Sequence, residues 1–265
     1  MKHIIKIYNN LITDLYKIDL FRTSWVLMRF FYFYHIRKNI KFFINENKKI
    51  DEHIIINRDN KKHTVISHNM HFAEDIKNLK KTYRKFDGSK TVSITYPLKS
   101  LDFINFQKAK LLSIGPRNEG ELYLIRSLGF EWRNIKAIDL ISYSNKVDLG
   151  DIHKTNYMNN EFDILICGWV LSYSNNFGTA LDEMLRITND KGIISIGFTY
   201  IPKEKDKVRQ FDKPDNVLES TSQILDKMKE NIDHVYFNFD AKQYSPDERR
   251  HSILIFRIKK DERHL

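Results

Sequence analysis

The pattern that most constrains the fold lies after residue 110, where short apolar runs alternate with amphipathic stretches. The runs "KLLSIG", "IKAIDL", "VDLGD", "FDILICGWV" and "IISIGF" are predicted strands. Between them, "NEGELYLIRSLG" and "GTALDEMLRITNDKG" are predicted helices, the second ending at Gly192. Strands that alternate with helices are typical of a parallel sheet covered on both faces. We therefore predict an α/β, doubly wound sheet of the Rossmann-like type.

The C-terminal section departs from this alternation. The apolar runs "HVYFNFD" and "HSILIFRIK" are separated only by the polar loop "AKQYSPDERR". A parallel crossover needs about a dozen residues and usually a helix, so an antiparallel hairpin is the simpler interpretation. Together with the five earlier runs, this predicts seven strands with an antiparallel C-terminal hairpin.

The N-terminal part has a different sequence pattern, and we predict a helical and small β extension over residues 1–97. Residues 1–45 are predicted to be helical, with aromatic residues dense between Trp25 and Phe43. The runs "EHIIIN" and "KHTVIS" flank a turn-rich segment and predict a hairpin. "HFAEDIKNLKKTYRKF" predicts a basic helix. Residues 98–265 then form the Rossmann-like domain.

The charge and the cysteine content indicate which partners and which compartment to expect. The net charge of +10 favours anionic partners, or reflects basic residues on solvated faces. The single cysteine, Cys167, excludes an internal disulfide and indicates a reducing compartment. The N-terminus does not read as a signal peptide, and residues 23–44 are interrupted by Arg29 and Arg37. We expect a cytoplasmic protein, with membrane association left open.

The aromatic and basic helix within residues 23–44 permits two interpretations. In the first interpretation, the helix lies at a membrane interface, with its aromatic face at the lipid boundary and its arginines on headgroups. Alternatively, it is a cap or homodimer element packed on the core. We favour the second, because aromatic stripes at helical spacing more often mean protein packing.

Three predicted strands end in residues that suit a ligand site. Ligands of open α/β sheets bind at the carboxyl ends of strands. Gly115 follows the first core strand, where a missing Cβ lets backbone approach a ligand. Asp139 ends the second strand 24 residues later, near the spacing at which an acid binds ribose hydroxyls. Asp151 follows the third strand. Each aspartate alone is also a common helix N-cap.

At these residues the chain resembles the class I S-adenosylmethionine-dependent methyltransferases, with a type 11-like core. "LLSIGPRNEGE" resembles the first motif of the family, and "IKAIDLIS" resembles the second. "LGDIHKTNYMNNEFDILICGWVLSYSNN" and "ALDEMLRITNDKGIISIGF" are similar to the stretches that follow. The resemblance covers roughly residues 108–200. It implies S-adenosyl-L-methionine as the cofactor and no metal ion.

The resemblance also assigns residues to the cofactor. Asp139 takes the role of the ribose-binding acid and Asp151 that of the adenine-contacting acid. The cofactor-binding set that it implies is Gly115, Pro116, Arg117, Glu119, Asp139, Leu140, Asp151, Ile152 and Gly168.

The first motif departs from the family pattern. Ser113 stands where the family has an acid, and Arg117 and Glu119 replace the second and third glycines. One hypothesis is that Arg117 pairs with the cofactor carboxylate, while Glu119 or Glu121 accepts from its amino group. The alternative is a decayed loop whose charges face solvent.

Candidate catalytic residues follow the third and fourth strands. Methyl transfer depends mainly on alignment, with a general base only if the acceptor must lose a proton. Trp169, Tyr173 and Asn175 lie where substrate-facing residues are expected, and His153 is a candidate base. The plainer interpretations are core packing for Trp169 and a solvated His153. We do not expect Cys167 to act as a nucleophile, because free cysteine in a strand is usually a buried hydrophobe.

The leading hypothesis is a methyltransferase acting on a small molecule or a glycan or lipid precursor. The alternative is a non-catalytic protein of the same fold that serves as a binding or scaffold module. A nicotinamide-dependent oxidoreductase is disfavoured, since the glycine fingerprint is missing and the terminal hairpin does not fit. "CGWVLSYS" lacks the Pro-Pro-Tyr turn of base amino methylation, and no RNA-stacking motif is recognisable, which disfavours nucleic acid. Residues 200–219 are predicted to form a substrate lid.

Overall fold

The computed structural model describes residues 11–39, 41–42, 54–56, 62–64, 91–116, 118–174, 176–202 and 218–260. In the N-terminal part, residues 11–17 are helical. They are followed by α1 (Asp19–Phe31), a π-helical turn (Tyr32–Ile36), β1 (Lys41–Phe42), β2 (Ile54–Ile56) and β3 (Lys62–Thr64).

The core begins with α2 and continues to β11. Its elements are α2 (Val92–Thr95), β4 (Leu111–Ile114), α3 (Gly120–Ser127), β5 (Ile135–Asp139), β6 (Ile141–Ser142), β7 (Val147–Leu149), β8 (Phe162–Gly168), α4 (Phe177–Ile187), β9 (Thr188–Tyr200), α5 (Thr221–Lys227), β10 (Ile232–Phe239), α6 (Ala241–Tyr244) and β11 (Arg250–Ile258). Short 3₁₀ turns lie at Tyr96–Ser100, Trp132–Asn134, Leu171–Tyr173 and Lys229–Asn231.

A seven-stranded sheet runs in the order β10-β11-β9-β8-β4-β5-β7. The pairs from β9 through β8, β4 and β5 to β7 are parallel, and β11 is antiparallel to both β9 and β10. This confirms the predicted Rossmann-like sheet and its C-terminal hairpin. From β4 the chain builds outward through β5 and β7, then crosses to β8 on the other side. The strand order therefore reverses next to β4, which is where open α/β sheets bind ligands.

Two apolar layers hold the sheet between its helices. Residues 164–167 of β8 are fully buried, as expected for a central strand covered on both faces. One layer packs Leu181 and Ile224, from α4 and α5, against one face. The other packs Ile94 and Leu122, from α2 and α3, against the opposite face. The carboxyl ends of β4, β5, β7, β8 and β9 thus meet at one edge, called the carboxyl edge below.

The predicted end of the helix over residues 178–192 is wrong. The α4 helix begins after Asn176, whose side chain accepts from the Thr179 N–H, and it ends at Ile187. The following residues belong to β9, where Thr188 pairs with Phe162. A shift in the β8–β9 register accommodates the extra residues, so the polar stretch before Gly192 continues the strand.

The N-terminal helix α1 packs on the core. Val26 and Phe30 are buried against Tyr16, Tyr123 and Tyr143. This packing agrees with the interpretation of a cap or homodimer element, which stays a prediction, as does the boundary between residues 97 and 98. Among the described residues, no helix is both long and apolar enough to cross a membrane.

Two further expectations for this part have different outcomes. The predicted helix over residues 1–45 is wrong at its end, because β1 at Lys41–Phe42 pairs antiparallel with β6. The predicted hairpin is confirmed, since β2 pairs antiparallel with β3. The predicted basic helix over residues 71–86 and most of the predicted lid lie outside the described residues.

Candidate functional site

The carboxyl edge gathers most of the predicted cofactor-binding residues. Gly115 follows β4, Asp139 ends β5, and Gly168 ends β8. Because β4 pairs with both β5 and β8, these three residues lie on adjacent strands around the switch point. Asp139 is also paired with Leu149 of β7, after which Asp151 follows.

The other members of the predicted set differ in exposure. Pro116 and Ile152 are buried, and Leu140 is half-buried after Asp139. Ile152 belongs to the apolar layer on the α4 side. Arg117 lies outside the described residues, so its pairing with a cofactor carboxylate stays a prediction.

Gly115 is required by the backbone itself. Its φ is +67°, in the left-handed region that favours glycine, and its N–H donates to the Ile138 carbonyl over 2.8 Å. A Cβ built here would lie 2.2 Å from Cγ2 of Val170. The sharp turn after β4 and the Val170 side chain therefore explain this glycine without a ligand.

We expect Gly115→Ala to destabilise the protein by about 2 kcal/mol or more, from the left-handed φ and the contact with Val170. Urea unfolding checks this. Val170→Ala removes the contact but leaves the backbone strain. In the Val170→Ala background, Gly115→Ala should therefore still lower the free energy of unfolding, but by less than in the wild type. A neutral Gly115→Ala would contradict the geometry.

Glu119, at the position of the third family glycine, is fully buried and paired. Its carboxylate accepts from Arg29 Nε at 2.6 Å and Nη2 at 2.9 Å, and from the Ser144 hydroxyl. Its backbone N–H donates to the Tyr143 hydroxyl over 3.1 Å. The hydrogen bonds that Arg29 donates to Glu119 raise the pKa of Arg29 further above its usual value. Helix α1 thus holds the loop after β4 through a buried bidentate ion pair.

Glu121 places a second buried carboxylate beneath the same loop. It accepts hydrogen bonds from the hydroxyls of Ser113 and Thr91. No described residue gives it a basic hydrogen-bonding partner. Burial, together with a smaller effect of the Asp139 charge, raises the pKa of Glu121 to about 7. The alternative that the loop charges face solvent is therefore wrong for Glu119 and Glu121.

The Ser113–Glu121 contact bears on the altered first motif. Ser113 occupies the position where the resembling family has an acid, and its side chain is fully buried. Glu121 reaches this hydroxyl from the first turn of α3. A carboxylate is thus present beside position 113 although the strand itself carries none.

Asp151, His153 and Ser174 form a hydrogen-bonded chain at the edge. Asp151 Oδ1 accepts from the His153 N–H at 2.9 Å and lies 2.5 Å from Nδ1. His153 Nε2 lies 2.6 Å from the Ser174 hydroxyl. With Nδ1–H donated to the carboxylate, Nε2 accepts from Ser174. The imidazole is oriented by two partners, so the interpretation of His153 as a solvated loop residue is wrong.

Trp169 is both packed and strained. It has a φ of +61°, rare for a bulky residue, and contributes to the apolar layer on the α2 side. Its indole N–H donates to His251 Nδ1 over 2.9 Å, so the hydrogen of a neutral His251 lies on Nε2. His251 comes from β11, outside the stretches that resemble the family, and was missed from the sequence. Ser174 was missed as well, although it lies between the candidates Tyr173 and Asn175.

The remaining candidates from the sequence differ in their exposure. Tyr173 is 47% exposed beside the edge, and Asn175 lies outside the described residues. Cys167 is fully buried in β8, and burial raises the pKa of its thiol to about 12. A neutral, inaccessible thiol is a poor nucleophile, in keeping with the expectation from the sequence.

Comparison with known families identifies part of the core. Residues 132–196 match a family model described as "Methyltransferase domain". This range runs from the 3₁₀ turn before β5 into β9, and includes Asp139, Asp151 and Gly168. The match confirms the resemblance to methyltransferases over this part of the chain, while the loop after β4 lies outside it. No curated protein is significantly similar to the chain.

Several solved structures are similar to part of the chain at low sequence identity. The chain is similar to YcgJ from Bacillus subtilis (13% identity, 64% of this chain and 99% of that chain, TM-score 0.45). It is similar to an S-adenosylmethionine-dependent methyltransferase from Mesorhizobium loti (10% identity, 65% of this chain and 99% of that chain, TM-score 0.45). It is also similar to a putative sarcosine dimethylglycine methyltransferase from Galdieria sulphuraria (9% identity, 86% of this chain and 97% of that chain, TM-score 0.48). Similarities at this level carry no argument about substrate.

Proposed function

We propose that this protein is an S-adenosylmethionine-dependent methyltransferase acting on a small molecule or a glycan or lipid precursor. The observation that carries the proposal is the buried Glu121 carboxylate at the topological switch point, close enough to Asp139 for that charge to raise its pKa. A methyltransferase family match over the adjoining strands supports it.

The residues at the carboxyl edge suit a cationic ligand. Two acids, Glu121 and Asp139, lie near one another at this edge, and Arg29 is paired with Glu119. Two neighbouring carboxylates favour a cationic ligand, because its charge lowers the cost of ionising both. S-adenosylmethionine carries a sulfonium and an ammonium group, so its charge matches this site.

Each residue has a proposed part in holding the cofactor. Asp139 accepts from the ribose hydroxyls, and Asp151 from the exocyclic amine of adenine. Glu121, rather than the ion-paired Glu119, accepts from the ammonium group. When bound, the cofactor supplies a methyl group that its sulfonium already activates.

The acceptor is proposed to lie over the ends of β8 and β9. Trp169 and Tyr173 offer aromatic surface there, and the His251 ring packs edge-on against Trp169 and accepts from its indole N–H. His153 is the proposed general base, because Asp151 orients its ring and stabilises the imidazolium that proton uptake would form. The sequence "CGWVLSYS" after β8 supports acceptors other than the amino groups of bases.

Titration of the protein with S-adenosylhomocysteine by calorimetry tests the proposal. We expect binding in the wild type and a loss of about tenfold or more in Asp139→Ala, which removes charged hydrogen bonds to the ribose. Asp182→Ala is the control, since this exposed aspartate pairs with Lys227 on α5. Absence of binding by a folded wild type would favour the non-catalytic binding module instead.

A further inference from the structure

Helix α1 buries one face against the core, whereas several large apolar side chains of its other face are exposed. The inner face buries Arg22, Val26 and Phe30 and directs Arg29 to Glu119. The exposed residues of α1 are apolar apart from Ser24 and Asp19, whose carboxylate pairs with Arg22. Leu20, Met28 and Phe31 on the outer face are each more than half exposed. An amphipathic helix normally turns its apolar face inward, so a second exposed apolar face calls for an occupant.

The exposed apolar surface extends beyond α1 in both directions. Of the large hydrophobic side chains that are exposed in the described residues, more than half lie between residues 11 and 36. They are Leu11, Ile18, Leu20, Phe21, Met28, Phe31, Tyr32 and Ile36. Such a concentration exceeds the scattered single residues that ordinary protein surfaces carry.

Basic side chains flank this apolar surface. Residues 11–42 contain six basic and two acidic residues. Arg22 and Arg29 are turned inward, whereas Arg37, Lys38 and Lys41 are exposed just after the helix. Lys17 is exposed before it, paired with Asp14. Exposed apolar side chains with flanking cations are the composition of helices that lie in the surface of an anionic bilayer.

We propose that the outer face of α1, with the basic residues that follow it, docks onto an anionic lipid surface. Charge decides between this occupant and a second copy of the chain. Every copy carries a net charge of +10 and the same basic residues beside the apolar face. Self-association would bring like charges together, whereas anionic headgroups attract them. The inference does not depend on the proposed methyltransferase activity.

Flotation of the full chain with lipid vesicles tests the inference. We expect the protein to float with phosphatidylcholine vesicles that contain phosphatidylglycerol and to stay in solution with phosphatidylcholine alone. The Leu20→Gln/Met28→Gln variant should lose about tenfold or more in partition, because two apolar anchors are removed. Both side chains are exposed, so circular dichroism should report an unchanged fold.

Two further variants separate the contributions. Met158→Gln is the matched control, since Met158 is 72% exposed on the loop before β8 and should not affect flotation. Arg37→Gln/Lys41→Gln should weaken flotation and reduce its sensitivity to salt, because headgroup attraction is screened.

Three outcomes would overturn the proposal. The first is a wild type that floats with neither vesicle. The second is flotation that the Leu20→Gln/Met28→Gln variant leaves unchanged. The third is a dimer, measured by light scattering without lipid, that this variant splits, since the face would then be an interface between copies.

Discussion

Glu121→Gln is expected to stabilise the protein by about 3 kcal/mol above pH 8, with the gain shrinking toward pH 5. Burial raises the pKa of Glu121 to about 7 from an ordinary value of 4.5. The folded protein therefore keeps a proton that the unfolded chain releases. Stability from this protonation is fully present below pH 4.5 and is lost as the pH rises through about 7. Glutamine removes that loss while preserving the contacts to Ser113 and Thr91. Urea unfolding across this pH range measures it.

A control with the opposite sign is available. Burial alone would raise the pKa of Glu183, but hydrogen bonds from Arg186 and Thr155 hold it below its usual value. Glu183→Gln should therefore destabilise the protein at neutral pH, and its effect should fade as the pH falls through the depressed pKa. If both variants shift stability in the same direction, the difference assigned to Glu121 is not electrostatic.

The same Glu121→Gln variant should bind S-adenosylhomocysteine about tenfold or more weakly, because the amide cannot balance an ammonium group. In the wild type, affinity should fall as the pH drops below about 7 and Glu121 takes up a proton. Calorimetry at several pH values measures both. Greater stability with unchanged binding would make Glu121 a buried acid without a part in the cofactor site.

Local patterns in the sequence are enough to predict the sheet. Each predicted strand of the core is a short apolar run, and the polar loop "AKQYSPDERR" favours an antiparallel hairpin over a parallel crossover between the last two strands. The failure at the end of α4 has a local cause as well. "TNDKG" resembles a helix terminus, but its pairing with β8 and the shifted register decide its conformation. Such tertiary pairing leaves no periodic signal.

The site could be predicted only in part, for a similar reason. Strand ends place Gly115, Asp139 and Asp151 at one edge, because parallel strands end on the same side. The partners of these residues come from distant segments. Arg29 reaches Glu119 across 90 positions, and His251 reaches Trp169 across 82. Whether a charged side chain faces solvent or a buried partner depends on such contacts.

Arg29→Met is expected to cost about 3 to 5 kcal/mol of stability, because it leaves the Glu119 carboxylate without its counter-ion in a fully buried position. Arg29→Met/Glu119→Gln should recover most of that loss, since no charge then remains buried. Urea unfolding of the wild type, both single variants and the double variant forms a double-mutant cycle that isolates the pair. Lys17→Met is the control, because its exposed pair with Asp14 should contribute under about 0.5 kcal/mol.

The Arg29–Glu119 pair also connects the N-terminal helix to the loop after β4, which we propose holds the cofactor. Glu119 precedes α3 directly, and its backbone N–H is fixed by Tyr143, which packs edge-on against Phe30 of α1. Releasing Arg29 should therefore loosen the loop that carries Glu121 into place. We expect Arg29→Met/Glu119→Gln, although refolded, to bind S-adenosylhomocysteine more weakly than the wild type, while Lys17→Met binds it equally well. Equal affinities in all three proteins would mean that α1 stabilises the domain without organising its site.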